Sequence, residues 1–273
     1  MQSRTEDEVR NQVRKAYGEV ARGKDGCGVG CCGSAEGASL ALGYTDADLR
    51  AVPDGADLGL GCGNPQAIAA LSQGETVLDL GSGAGFDCFL AAKRVGAKGR
   101  VIGVDMTPEM IDKARRNAKA VAAENVEFRL GEIERLPVAD ASVDAILSNC
   151  VINLSPDKAS VFREVFRVLR PGGRLAIADV VQTASMPDAL AESLDALTGC
   201  VSGASAVRAL EELLASAGFS DVSIRVREES RSVIGRCMPG AEPYVASATI
   251  EAVKPGGKSC CTPSCCGPEE ASA

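Results

Sequence analysis

ETVLDLGSGAGFDC, residues 75–88, decides the fold. Val77-Leu78-Asp79-Leu80 is an apolar run that ends in Gly81-Ser82-Gly83-Ala84-Gly85 and passes directly into Phe86, Phe89, Leu90 and Ala92 at helical spacing. The order is a buried strand, a tight glycine turn and a helix. Glycines allow positive φ and close approach of backbone to a ligand, and the first turn of the helix that follows has free N–H groups. The turn therefore suits a nucleotide-like cofactor.

On either side of this stretch the pattern repeats. Strands are expected over residues 77–80, 101–105, 126–130, 143–148 and 174–181, with helices over 85–95, 108–123 and 156–169. Alternating βα units predict a parallel sheet covered on both faces, so the fold class is α/β, a doubly wound, mostly parallel Rossmann-like sheet. Two further helical stretches, 189–197 and 206–217, lead to closing strands at 222–227 and 245–253. Ahead of the sheet, Thr5 and Glu8 form a capping-box pair before Val9, Val13, Tyr17 and Val20 at helical spacing. A glycine-rich loop over 23–37 follows, then a polar segment to Pro53, a second glycine-rich loop carrying Cys62, and a helix-like stretch over 66–71. Four segments result: 1–72 with the first helix and cysteine-bearing loops, 73–182 as the cofactor-binding domain, 183–253 as a smaller lobe completing the sheet, and 254–273 as a disordered cysteine-rich tail.

Composition narrows the function classes. The chain of 273 residues is 45% hydrophobic and 24% charged, so it can bury a large core without staples. Its formal charge of −8 disfavours nucleic acid or an anionic membrane surface as partner. No run approaches the ~18 apolar residues of a membrane span, and the start MQSRTEDEVR lacks a signal-peptide apolar region. A cytoplasmic monomer is expected. Histidine is absent, which removes Ser-His and Cys-His catalytic pairs and His-ligated metals. Twelve cysteines are present, and in a reducing compartment they point to ligands or redox groups rather than bridges.

The glycine spacing separates two cofactor classes. A dinucleotide site wants Gly-x-Gly-x-x-Gly, but counting from Gly81 and Gly83 puts Phe86 where the last glycine belongs. The motif is Gly-x-Gly-x-Gly, with Asp79 in the strand before it and Asp105 about 20 residues after it, placed to accept both ribose hydroxyls. With GEIERLP at 131–137 and FRVLRPGGRL at 166–175, these residues resemble the class I S-adenosylmethionine-dependent methyltransferases. The resemblance implies S-adenosylmethionine as methyl donor. It implies contacts from Asp79, Gly81, Ser82, Gly83 and Gly85 in the first motif, and from Asp105 and Met106 in the second. Glu132 and Ile133 would meet the adenine, and Asn149 would join them.

Cysteine placement then points to the acceptor. Ligands of a doubly wound sheet gather beyond the carboxyl ends of the strands, and Cys150 lies just past one such end. Cys62, on the loop before the first strand, and Cys200, in the insertion after the fifth, can fold over the same edge. Three thiols above a methyl donor suggest a soft acceptor held by sulfur. The arrangement resembles the arsenite S-adenosylmethionine methyltransferases over nearly the whole chain, through GSGAGFDC at 81–88, VDMTPEM at 104–110, SNCVINLSPDK at 148–158 and the isolated Cys62 and Cys200. That resemblance implies Cys150 and Cys200 as core arsenic ligands, Cys62 as the third, and one of Cys31 and Cys32 as the N-terminal cysteine of substrate capture or disulfide formation. Gly199 departs from animal and algal members, which carry a glutamate there.

The implied chemistry needs no histidine. Thiolate-bound trivalent arsenic has a lone pair and no proton to lose, so alignment of donor and acceptor is the main requirement. Each methylation formally oxidises arsenic; a pair such as Cys32 and Cys62 could return the electrons as a disulfide, reset by a thioredoxin-type thiol reductant. The substrates implied are trivalent arsenicals as thiol conjugates. A methyltransferase for another small-molecule acceptor and a soft-metal-binding protein are the alternatives. Cys88 is expected to be a small buried hydrophobe, and Cys237 a structural or spectator residue in a loop. Tyr17 either closes over the sulfonium or packs in the core. Cys260, Cys261, Cys265 and Cys266 either relay soft metal ions or belong to a dispensable tail, and Cys27 has no assigned role.

Overall fold

The computed structural model describes residues 5–23 and 34–256. Eight strands form one sheet: β1 (Thr76–Leu80), β2 (Arg100–Asp105), β3 (Val126–Leu130), β4 (Val143–Asn149), β5 (Leu169–Gln182), β6 (Ser205–Ala206), β7 (Ser220–Arg227) and β8 (Val245–Val253). Their order is β3-β2-β1-β4-β5-β8-β7, with β6 pairing on β5 away from this path. The first five strands are parallel, whereas β8 runs antiparallel to both β5 and β7. The two closing strands thus extend the same sheet. The switch point lies between β1 and β4, where the connections from the two strands diverge to opposite sides.

Pleating explains the apolar runs. Along β1, Val77 faces one core with Cys88, Phe89 and Val95, while Leu78 and Leu80 face the other with Val161, Phe162 and Val165. Helix α4 (Phe86–Val95), the fourth among the described residues, covers the first face, and α6 (Lys158–Val168) the second. Burying Phe162 stabilises the sheet by roughly 1.5–3 kcal/mol. A third cluster caps the carboxyl ends of β4 and β5. It joins Val13 of α1 (Glu6–Ala21) to Cys150, Leu197, Cys200 and Val245.

Local chemistry moved several element ends. The expected helix over 108–123 is α5 (Pro108–Ala120), because Ala122 takes a positive φ of 49° and breaks the run. The helix expected over 156–169 begins at Lys158, since Asp157 caps it by accepting the Ser160 N–H. The stretch over 189–197 is two short helices, α7 (Asp188–Ala191) and α8 (Leu194–Thr198), the second restarted by Ser193 as its cap. Two short helices, α2 (Ala35–Ala41) and α3 (Asp46–Arg50), occupy the end of the expected glycine-rich loop and the polar segment after it, and α3 starts with a Thr45–Asp48 capping box. The helix-like stretch over 66–71 is a single 3-10 turn, Pro65–Ala67. Beyond α9 (Val207–Ala217), Cys237 ends α10 (Arg231–Cys237) and does not lie in a loop: the apolar face of that short helix packs Ile234 onto the third cluster. Strand β5 begins five residues before its expected start.

Candidate active site

A deep cleft opens at the carboxyl ends of β1, β2, β4 and β5, and its floor is the glycine turn. Gly83 has φ +51°, and a Cβ there would meet nothing within 4 Å, which leaves its backbone open to a ligand. Gly85 has a different task. At φ +97° a Cβ would stand 2.7 Å from the Phe128 ring, so this glycine serves packing, and it does not line the cleft.

Acids surround the turn. The Asp105 carboxylate accepts the Gly83 N–H at 3.0 Å and the Thr107 N–H at 2.8 Å, fixing the β2 end against the turn. Burial raises its pKa, an effect these backbone donors oppose. Asp79 is buried and accepts the Cys88 thiol at 3.2 Å. Burial, then the charge of Asp87, pushes its pKa well up. Cys88 is fully buried as expected, and it also holds Asp79. The Ser82 hydroxyl lines the cleft, buried and with no hydrogen-bond partner among the described residues, as a polar ligand would require. Met106, Ile133 and Asn149 line it too. Glu132 does not: its carboxylate faces Arg14 at 3.2 Å and Arg10 at 3.8 Å.

Helix α1 roofs this half of the cleft. Arg14 donates from Nε to the Met106 carbonyl at 3.2 Å, Arg10 lies 3.4 Å from Glu134, and the Tyr17 hydroxyl donates to the Thr198 carbonyl at 3.2 Å. Tyr17 thus lines the cleft and packs against the third cluster at once.

The three loop cysteines converge. Cys62 and Cys150 are joined as a disulfide with Cα atoms 5.4 Å apart, and the Cys200 thiol donates to the Cys150 carbonyl at 2.8 Å. Cys62 is thus paired here with Cys150, one of the expected arsenic ligands; Cys32, the other partner considered for it, lies outside the described residues. The sulfurs of Cys62, Cys150 and Cys200 and one carboxylate oxygen of Asp179 all lie within 4.8 Å of one another. Cys150 and Cys200 take φ values of +59° and +61°, a left-handed conformation that costs a non-glycine residue about 1–3 kcal/mol and concentrates at functional sites.

Asn149, Asn153 and their partners hold the backbone of these cysteines, contacts that the sequence does not reveal. The Asn149 Oδ1 accepts the Cys62 N–H at 3.0 Å, and its Nδ2 donates to the Gly63 carbonyl at 2.9 Å and to Tyr44 Oη at 3.1 Å. Tyr44 in turn donates to Asp87 at 2.9 Å. Burial raises the Asp87 pKa to about 6, against Tyr44, Gln66 and Asn149, which favour the charged form. On the far side Asn153 donates to Asp179 Oδ1 at 2.9 Å and to the Cys200 carbonyl at 3.2 Å. Burial raises Asp179 also to about 6, opposed by the Val180 N–H and then by Lys158. The signal for Asp179 was a lone carboxylate within LAIADVV, an otherwise apolar strand. Tyr44 had none, because its partners are 43 and 105 residues away.

Cys237 lines the same cleft and is disulfide-bonded. Cys27, Cys31, Cys32, Cys260, Cys261, Cys265 and Cys266 lie outside the described residues. Among those residues, no helix is long and apolar enough to cross a membrane.

Comparison with known proteins places the arrangement. A family model described as "Methyltransferase domain" matches residues 71–218. An arsenite methyltransferase of Halobacterium salinarum is 56% identical, the match covering 92% of this chain and 68% of that protein. One of Aquipseudomonas alcaligenes is 45% identical over 59% of this chain and 48% of its own length, so the chain spans about half of that relative. In structure, an arsenic(III) S-adenosylmethionine methyltransferase of Chlamydomonas reinhardtii matches with a TM-score of 0.59 at 32% identity, covering 80% of this chain and 73% of the other.

Proposed function

The chain belongs to the arsenite methyltransferase family of S-adenosylmethionine-dependent enzymes, and from that membership we propose that it methylates trivalent arsenic held by Cys62, Cys150 and Cys200. The observation that carries the reading is the convergence of three thiols from three separate loops within 4.8 Å, beside the glycine cradle.

S-adenosylmethionine supplies the methyl group. Asp105, Asp79, Ser82 and the open Gly83 backbone are the residues that would hold it, with Met106 and Ile133 as apolar walls. Arsenite enters by exchange: each As–OH bond is replaced by As–S, the thiol proton leaving with the hydroxide as water. Three such exchanges give a pyramidal arsenic with its lone pair free, which needs alignment and no base. Asn149 sets the height of the Cys62 loop, and Asn153 holds the Cys200 backbone, so the ligand geometry is fixed before substrate arrives.

Each methyl transfer oxidises arsenic by two electrons, and a thiol pair can return them while closing a disulfide. The Cys62–Cys150 bridge supports a requirement for a thiol reductant, of thioredoxin type or a small thiol, because bridged sulfurs cannot hold arsenic. Cysteines at 31 and 32 would relay the electrons. Residues 1–72 and 183–253 act as the acceptor lobes around the 73–182 donor domain. One chain supplies every group named, which fits a monomer, and a reducing cytoplasm would keep the thiols available.

Mass spectrometry of the products from arsenite, S-adenosylmethionine and a thiol reductant tests the reading. Methylated arsenicals should accumulate with time. Cys200→Ser should lower turnover at least about 100-fold while S-adenosylmethionine binding, followed by calorimetry, is retained. Full arsenic methylation by that variant would overturn the assignment.

A further inference from the structure

Asp179 is the part of the thiol cluster that arsenic does not need. Trivalent arsenic makes three bonds and keeps a lone pair, so three sulfurs complete it. The cluster nevertheless has a fourth donor: a carboxylate oxygen of Asp179 lies within 4.8 Å of all three sulfurs, and Asp179 is only 2% exposed. A closed-shell divalent cation of the zinc group takes four ligands in a tetrahedron, with metal–sulfur bonds near 2.3 Å and therefore sulfurs about 3.8 Å apart. The 4.8 Å limit on the four donors accommodates that spacing once the Cys62–Cys150 bridge is opened and its two sulfurs move apart.

The surroundings of the carboxylate are those of a ligand. Oδ1 is held by Asn153 Nδ2 at 2.9 Å and the Val180 N–H at 2.8 Å, while Oδ2 takes the longer 3.4 Å bond from the Asn153 N–H. One oxygen is thus fixed and the other more lightly held. Such outer hydrogen bonds orient ligating carboxylates. Lys158, half-buried, adds positive charge toward Asp179 and Cys200, which offsets the surplus negative charge that three thiolates and a carboxylate leave on a dication.

We propose that the reduced protein binds a thiophilic divalent cation, Zn²⁺ or Cd²⁺, through Cys62, Cys150, Cys200 and Asp179, and that this cation competes with trivalent arsenic for the cleft. Binding requires the Cys62–Cys150 bridge to be opened, a phosphine or dithiol being oxidised as the two thiols form. The thiol protons then pass to solvent as the cation takes the sulfurs. Asp179 discriminates between the two guests, since it completes the dication and leaves arsenic untouched. The proposal stands apart from arsenic turnover because its readout is metal binding itself.

The test uses Co²⁺ as a coloured substitute for zinc, on the full chain reduced with a phosphine, with Cys260, Cys261, Cys265 and Cys266 changed to Ser so that tail thiols do not compete. One equivalent of Co²⁺ should give the intense visible bands of tetrahedral, sulfur-bound cobalt, and one equivalent of arsenite should bleach them. Asp179→Ala should weaken Co²⁺ binding at least about 10-fold, while binding of a trivalent arsenical to the same variant changes less than about threefold. Asp179→Asn keeps the Oδ1 bonds from Asn153 Nδ2 and the Val180 N–H, loses only the long one from the Asn153 N–H, and gives the same split if the alanine variant does not fold. No tetrahedral cobalt spectrum, no bleaching by arsenite, or wild-type Co²⁺ affinity in the Asp179→Asn protein would each overturn the proposal.

Discussion

Asn149 accepts the backbone N–H of Cys62 through Oδ1 at 3.0 Å, so one amide from the end of β4 sets the position of a cysteine 87 residues earlier in the chain. The contact ties the donor half of the cleft to the acceptor half. Asn149 is the last residue of β4, which ends beside the glycine turn, and Cys62 lies on a loop without regular structure of its own. Through Tyr44 the same amide reaches Asp87, the second residue of the helix that follows the turn. A change here should therefore be felt in arsenic capture before it is felt in the core.

Asn149→Ala should lower the rate of arsenic methylation by roughly 10- to 100-fold with a smaller effect on S-adenosylmethionine affinity. It removes the Cys62 and Gly63 hydrogen bonds and leaves a buried N–H without its acceptor, at about 1–3 kcal/mol. Initial rates across arsenite concentrations, beside calorimetry with S-adenosylmethionine, separate the two. Equal losses in both would contradict a role centred on the Cys62 loop.

Arg14→Ala should weaken S-adenosylmethionine binding by about 10-fold, because its guanidinium holds the Met106 carbonyl at 3.2 Å and Glu132 at 3.2 Å. The arsenic-binding stoichiometry of the reduced protein should be unchanged. Unaltered cofactor affinity would mean that helix α1 roofs the cleft without bearing on the donor.

Gly85→Ala should cost more than about 2 kcal/mol of stability. The residue has φ +97°, and the added methyl would lie 2.7 Å from the Phe128 ring and 2.8 Å from the Phe89 ring. Denaturant unfolding reads this directly, and a variant as stable as the parent would show that the ring pair yields at little cost.

The pH dependence follows from buried acids. Asp87 has its pKa raised from 3.8 to about 6, by burial above all. The native protein consequently binds more protons than the unfolded chain between about pH 4 and 6, and its stability falls as pH rises through that window. Asp79 and Asp179 are pushed the same way. Asp87→Asn should remove a share of this slope, of the order of 2–3 kcal/mol at pH 7, while keeping an acceptor for Tyr44. Unfolding free energies from pH 4 to 7 check the sign. A parent protein whose stability rises across that range would refute it.

Oxidised protein should bind no trivalent arsenic through Cys62 and Cys150, and peptide mapping without reductant should recover the two as a linked pair. The bridge closes a separation of 88 residues, so its reduction should also lower stability, by up to about 4.6 kcal/mol on the chain-entropy estimate. Thermal unfolding with and without a phosphine measures that loss.

The strand-turn-helix at residues 75–88, the five parallel strands and the nearness of Cys62, Cys150 and Cys200 to one sheet edge were all legible in the amino-acid sequence, whereas the strand order was not. Each rests on local information: apolar runs of strand length, glycines at fixed offsets, and thiols just beyond strand ends. The same local reading misjudged where helices start, because Ser193 and Asp157 act as N-caps only once their partners are in place. Gly85 and Glu132 are cofactor contacts only by resemblance; the tertiary structure adds that a Cβ at Gly85 would stand 2.7 Å from the Phe128 ring and that the Glu132 carboxylate faces the arginines of α1. What only the tertiary structure decided is the environment of the site: Tyr44 on Asp87, Asn149 on Cys62, Asp179 among the thiols. Those contacts join residues far apart in the chain, and their strength comes from burial, a property that no single stretch of sequence possesses until the sheet has closed over it.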